Sequence, residues 1–114
     1  MDAVLGDRRR TSATRASPPR SRMRTIQFSP TARRDLDRLR HWLEERAPHA
    51  TPRAVDTIVN AYRSLGQFPE RGRQVPEGLR ELIVPFGSAG YVIQYDVQPR
   101  DVIILRIFHA QEDR

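Results

Sequence analysis

Residues 79–109 read LRELIVPFGSAGYVIQYDVQPRDVIILRIFH, and the punctuation in this stretch decides the architecture. Three runs, Leu79 to Val84, Tyr91 to Val97 and Asp101 to His109, have strand length and are rich in β-branched and aromatic residues. Pro85, Gly87, Ser88 and Gly90 separate the first from the second, and Pro99-Arg100-Asp101 separates the second from the third. Connections this short favour hairpins over crossovers, which predicts a three-stranded antiparallel meander. The last run is nearly all Val, Ile, Leu and Phe, the pattern of a central strand buried on both faces. Arg106 interrupts it, and a charge there must reach solvent or a carboxylate such as Asp96.

Upstream, a loop carrying Glu70, Arg71, Gly72, Arg73, Pro76 and Gly78 sets the meander apart from two helical stretches. In the nearer one, Val55, Ile58, Val59, Tyr62 and Leu65 form an apolar stripe that Thr51-Pro52 starts, as N-cap and first-turn proline, and Phe68-Pro69 ends. In the other, Ala32, Leu36, Leu39 and Leu43 recur at helical spacing with Trp42 alongside. Ser29-Pro30 starts this stripe in the same way, and it runs to about Arg46. The break between them, Ala47 to Ala50, is short enough to predict an antiparallel helix hairpin. Before it, Arg24 to Phe28 alternates in period two as a short strand. The expected fold is α+β: an N-terminal strand, an antiparallel helix hairpin and a three-stranded antiparallel meander forming one curved sheet.

All of this falls within residues 23–114, the expected single domain. Residues 1–22 are rich in Arg, Ser and Pro without hydrophobic periodicity, and are expected to be a disordered extension, with Met23 the natural beginning of the domain. The net charge of +6 is split unevenly: residues 1–22 carry +4 and residues 23–114 only +2. Every basic residue is Arg. The domain is therefore too mildly basic for charge alone to imply nucleic-acid binding. The absence of cysteine excludes disulfides, thiolate metal sites and cysteine nucleophiles, and His41, His49 and His109 lack ligand spacing, so no metal or cofactor is expected. No run approaches the roughly 18 apolar residues of a membrane span, so a soluble protein is expected.

Local wording adds a family resemblance. Ile26-Gln27-Phe28-Ser29-Pro30-Thr31-Ala32 with Asp35-Leu36, then Leu65-Gly66-Gln67-Phe68-Pro69 with Gly72-Arg73, then Leu79-Arg80-Glu81-Leu82, Gly90-Tyr91-Val92-Ile93-Gln94-Tyr95 and Ile103-Ile104-Leu105-Arg106-Ile107-Phe108-His109 together resemble the RelE/ParE toxins, the ParE-like members most closely. The resemblance implies a bacterial, cytoplasmic toxin of a type II toxin-antitoxin pair, with the helix hairpin packed on one face of the sheet. It implies a cognate antitoxin as partner, and either DNA gyrase or the ribosome with its mRNA as target. A non-toxic family member acting only as a binding partner is a third reading.

Metal-free RNA cleavage needs a base, an acid and a cationic clamp converging on one phosphate. Nuclease members of the family resemble one another in an Arg after the tyrosine that opens the middle strand of the meander. Here Val92 follows Tyr91, and the C-terminus, Ala110-Gln111-Glu112-Asp113-Arg114, is mostly acidic. These departures rank gyrase inhibition first. For the nuclease alternative the candidates are Arg80 as phosphate clamp, His109 as acid or base if the two meet, and Glu77 to orient either. Candidates for contacting target or RNA are Arg80, Tyr91, Tyr95, Arg106 and His109. Tyr91 and Tyr95 share one strand face with Ile93 and are expected to be core more than base-stacking platforms. Leu36, Leu39 and Trp42 are the antitoxin-binding candidates on the first helix.

Overall fold

Ser29 starts the first helix as its sequence suggests: its Oγ accepts the Ala32 N–H at 3.0 Å, and Pro30 occupies the first helical position. The computed structural model describes residues 23–87 and 89–110, so the expectation of disorder for residues 1–22 lies outside the described residues, as do residues 111–114. In chain order the elements are β1 (Thr25–Phe28), α1 (Pro30–Arg46), α2 (Thr51–Ser64), β2 (Arg73–Val75), β3 (Leu79–Phe86), β4 (Ala89–Val97) and β5 (Asp101–His109), with single 3-10 turns at Pro69–Arg71 and Pro76–Gly78. No helix among the described residues is long and apolar enough to cross a membrane.

The strands form one mixed sheet in the order β1-β5-β4-β3-β2. The meander β3-β4-β5 is antiparallel as expected, and β1 joins it parallel to β5. One strand is additional to the expected set. Arg73–Val75, read as loop, pairs antiparallel with Leu79–Glu81. Three residues are too few to show a period of two, and the turn that joins them to β3 relies on two left-handed residues, Glu77 (φ 71) and Gly78 (φ 76).

The strand β5 is not the doubly buried centre that its composition suggests. It lies one strand in from the edge, with Val102, Ile104 and Ile107 fully buried and Ile103, Leu105 and Arg106 half-buried or exposed. The central strand is β4. Opposite the Gln94–Tyr95 step, β5 carries one extra residue, because Gln94 pairs with Arg106 and Tyr95 with Ile104. This bulge bends the strand locally and raises its twist.

Both helices contribute to the core. Ala32, Leu39 and Leu43 from α1 and Ala54 and Ile58 from α2 pack with Leu65 against Leu82, Val84, Tyr91, Ile93, Tyr95, Ile104 and Ile107. Small Ala54 faces inward while Val55 and Val59 are only half-buried. The α2 stripe is thus rotated from the one that bulky side chains mark out. Thr51 does not cap: it is itself helical, and its Oγ1 donates to the Ala47 carbonyl. The helix also ends earlier than Phe68, at Ser64.

Candidate functional site

The register across β3, β4 and β5 sorts the helix-facing side chains into rows. Arg80, Tyr95 and Ile104 make one row, Leu82, Ile93 and Ile107 the next, and Val84, Tyr91 and His109 the last. Arg80 and His109 therefore stand at opposite ends of the sheet, four residues apart along the strands and two strands apart across them. At about 3.3 Å per residue and 4.8 Å per strand that is roughly 16 Å between backbones, too far for a shared phosphate. The condition set for the nuclease alternative, that Arg80 and His109 meet, is not met, and strand register is the reason.

Each of the two has other partners. An Arg80 guanidinium N–H donates to the carbonyls of Gly72 (2.6 Å) and Glu70 (3.4 Å), so the side chain is a brace for the loop after α2. His109 lies between aromatic rings, 5.1 Å from Trp42 and 5.5 Å edge-on from Tyr91. Arg46 sits 4.6 Å over the Trp42 ring. Glu77 is exposed in the 3-10 turn before β3 and makes no hydrogen bond or ion pair with Arg80 or His109.

Tyr91 and Tyr95 are buried, at 2 % and 0 % exposure. Burial raises the phenol pKa of Tyr91. It raises that of Tyr95 too, against the lowering pull of the Gly72 N–H and of Arg80 and Arg71. The Tyr95 hydroxyl pins the loop after α2 to the sheet, since it donates to the Pro69 carbonyl at 2.7 Å and accepts the Gly72 N–H at 2.8 Å. A Cβ at Gly72 would meet that hydroxyl at 2.6 Å, which explains the glycine.

The carboxylate partner of Arg106 is Asp35, not Asp96; the Asp96 carboxylate accepts the Gln98 amide instead. Pairing of β1 with β5 stops at Phe28 opposite Ile104. Beyond it the start of α1 caps the open edge of β5. The Ser29 N–H donates to the Ile104 carbonyl and its Oγ–H to Leu105, and Asp35 Oδ2 accepts both the Ile107 N–H (2.9 Å) and Arg106 Nε (2.8 Å). Burial alone would push the Asp35 carboxyl up. The hydrogen bonds from Arg106, Ile107 and Arg38, with the Arg106 charge, outweigh burial and hold it below its usual range. Sequence reasoning misses Asp35, although a signal exists: it lies three residues after Ala32 and four before Leu39, on the apolar face.

Of the antitoxin-binding candidates, Leu39 is 2 % exposed and belongs to the core, so it is not available to a partner. Trp42 is partly exposed beside His109. Leu36 is half-buried and lines an open groove of about 350 Å³ with Phe28, Tyr62, Arg33 and Asp37. A second exposed aromatic is Phe68, on the loop after α2, which the sequence pattern marks only as the end of a helix.

The family model for the ParE toxin of type II toxin-antitoxin systems, parDE, matches residues 26–114. The chain belongs to the ParE toxin family. Relatives carry RelE names as well. It is 47 % identical over 92 residues to Toxin RelE3 of Caulobacter vibrioides, covering 81 % of this chain and all of the relative. It is 41 % identical over 90 residues to Toxin RelE1 of the same organism, covering 79 % and 97 %. The fold matches a solved chain of the chromosomal ParDE system of P. aeruginosa with a TM-score of 0.66 and 25 % identity, over 80 % of this chain and all of that one. A chain of the RelBE2 toxin-antitoxin complex of Mycobacterium tuberculosis matches with a TM-score of 0.53 and 26 % identity, over 75 % and 96 %. This ParE-family chain is therefore a toxin component of the type II class, with the α+β architecture of the RelE/ParE toxins.

Proposed function

We propose that this toxin acts by binding DNA gyrase in the cytoplasm, without cleaving RNA, and that a cognate antitoxin neutralises it. The observation that carries the reading is the dispersal of the nuclease candidates. Arg80 braces a loop, His109 packs between Trp42 and Tyr91 at the other end of the sheet, and Val92, at the position where the nuclease members resemble one another in an Arg, is 1 % exposed. Acid, base and clamp do not converge among the described residues, and general acid-base catalysis requires that they do.

The antitoxin reading is supported by the solved relatives, which are described as ParDE and RelBE2 toxin-antitoxin systems. The groove at Leu36, with Phe28 and Tyr62 as walls and Arg33 and Asp37 at its rim, suits the apolar face of an amphipathic antitoxin segment. The RelE names of the Caulobacter relatives favour a second reading, a ribosome-dependent mRNA endoribonuclease.

One experiment separates the two. The purified full chain is added to gyrase with relaxed plasmid and, in parallel, to translating ribosomes with mRNA. Blocked supercoiling with intact mRNA is expected. Cleaved mRNA with active gyrase would reverse the reading.

A further inference from the structure

The loop between α2 and β2 is held far more firmly than a connection requires. The Arg24 N–H donates to the Gly66 carbonyl, the Phe68 N–H to Ser64, the Tyr95 hydroxyl to Pro69, and Arg80 to Glu70 and Gly72, while the Gly72 N–H donates back to Tyr95. Gly66 and Gly72 sit so close to the sheet that a Cβ would meet the Arg24 carbonyl at 2.7 Å and the Tyr95 hydroxyl at 2.6 Å. All of these bonds engage backbone atoms of the loop, and beyond Leu65, which belongs to the core, its larger side chains are left largely to solvent. Phe68 is 54 % exposed, and Arg63, Glu70, Arg71 and Arg73 are exposed beside it.

An exposed aromatic on a loop whose backbone is already hydrogen-bonded in place is a preorganised anchor, because little backbone entropy remains to be lost when a partner covers it. Arg73 is paired with Glu81, which leaves Arg63 and Arg71 against Glu70 and makes the surroundings mildly basic. We infer that Phe68 and its arginine rim are the target-binding contact of this toxin, and that they fit a protein surface with an apolar pocket edged by carboxylates. The inference rests on the reading of the toxin as a binder and deepens it by naming the contact. Single-stranded nucleic acid is the poorer fit, since it is gripped by successive stacking aromatics and Phe68 is the loop's lone exposed ring.

The test uses the full chain carrying Phe68→Ala, Phe68→Tyr or Arg63→Glu. Growth arrest on expression without antitoxin is measured along with the concentration that half-inhibits gyrase, the thermal midpoint and the binding of an oligouridine probe. Phe68→Ala should abolish growth arrest and raise the half-inhibitory concentration about 30-fold or more, the scale of an interface hot spot. Its midpoint should stay within about 2 °C of the parent, as expected for an exposed side chain. Phe68→Tyr should restore toxicity, and Arg63→Glu should weaken inhibition several-fold, most at low salt.

Full toxicity of Phe68→Ala would overturn the inference. Lost oligouridine binding with unchanged inhibition of gyrase would overturn it as well, in favour of a nucleic-acid contact. If the parent chain leaves gyrase active, gyrase is the wrong target, and the loop contact stands or falls on whether growth arrest depends on Phe68.

Discussion

Replacing Asp35 should destabilise this fold more than any other single polar change on α1. The carboxylate is 5 % exposed and accepts a backbone N–H that β1 is too short to satisfy. In Asp35→Ala the Ile107 amide loses its acceptor in a dry setting, a cost of about 1–3 kcal/mol. The Arg106 guanidinium is 45 % exposed and can turn to water, so losing that pair adds no more than about 1 kcal/mol. The sum is about 3 kcal/mol, which for a domain of this size lowers the midpoint of thermal unfolding by about 15 °C. Asp35→Asn keeps an oxygen for Ile107 but loses the charge, and should cost about half as much. The pH dependence has a definite sign. A carboxyl held below its usual value contributes stability above the unfolded value of about 3.9 and loses that contribution as pH falls through the folded one. The gap between the parent and Asp35→Asn should therefore be constant above about pH 5 and close on further acidification. Urea and thermal unfolding followed by circular dichroism measure both effects. An Asp35→Ala variant within about 0.5 kcal/mol of the parent would refute the edge-capping account.

Other outcomes are equally specific. Tyr95→Phe strands the Gly72 N–H and the Pro69 carbonyl, and should cost about 2 kcal/mol in urea unfolding while speeding hydrogen exchange at the Gly72 amide. Leu39→Ala removes a buried core side chain and should cost about 2–5 kcal/mol in the same assay. The double variant Arg80→Ala, His109→Ala should leave mRNA integrity on translating ribosomes indistinguishable from that with the parent chain, as primer extension would read it; a cleavage pattern present in the parent and lost in the variant would restore catalysis.

The elements are legible in the sequence wherever a periodic pattern runs long enough to be seen. The stripe Ala32, Leu39, Leu43 and the cap at Ser29 mark α1, and the turn residues around Gly87 and Pro99 mark the meander. The short strand β2 is not legible, because three residues carry no period. The pairing of Arg106 with Asp35 is hidden for a different reason. The sequence offers Asp96 on the neighbouring strand as a partner, but the β1-β5 pairing brings α1 onto β5 and puts Asp35 against the strand from 71 positions away. Arg80 and His109 look like partners by residue type, and only the register of β3, β4 and β5 shows that they occupy opposite rows. The anchoring of the Phe68 loop depends on a hydroxyl buried in β4, which no local pattern around Phe68 contains.

The central claim, a ParE-family toxin that works by occupancy and not by turnover, is tested most directly by titrating the full chain against fixed concentrations of gyrase and of translating ribosomes. A binder should abolish supercoiling only as its concentration approaches that of gyrase, and should leave the mRNA intact throughout. Cleavage of mRNA by toxin present at a small fraction of the ribosome concentration would contradict the account, because only a catalyst acts that far below its target.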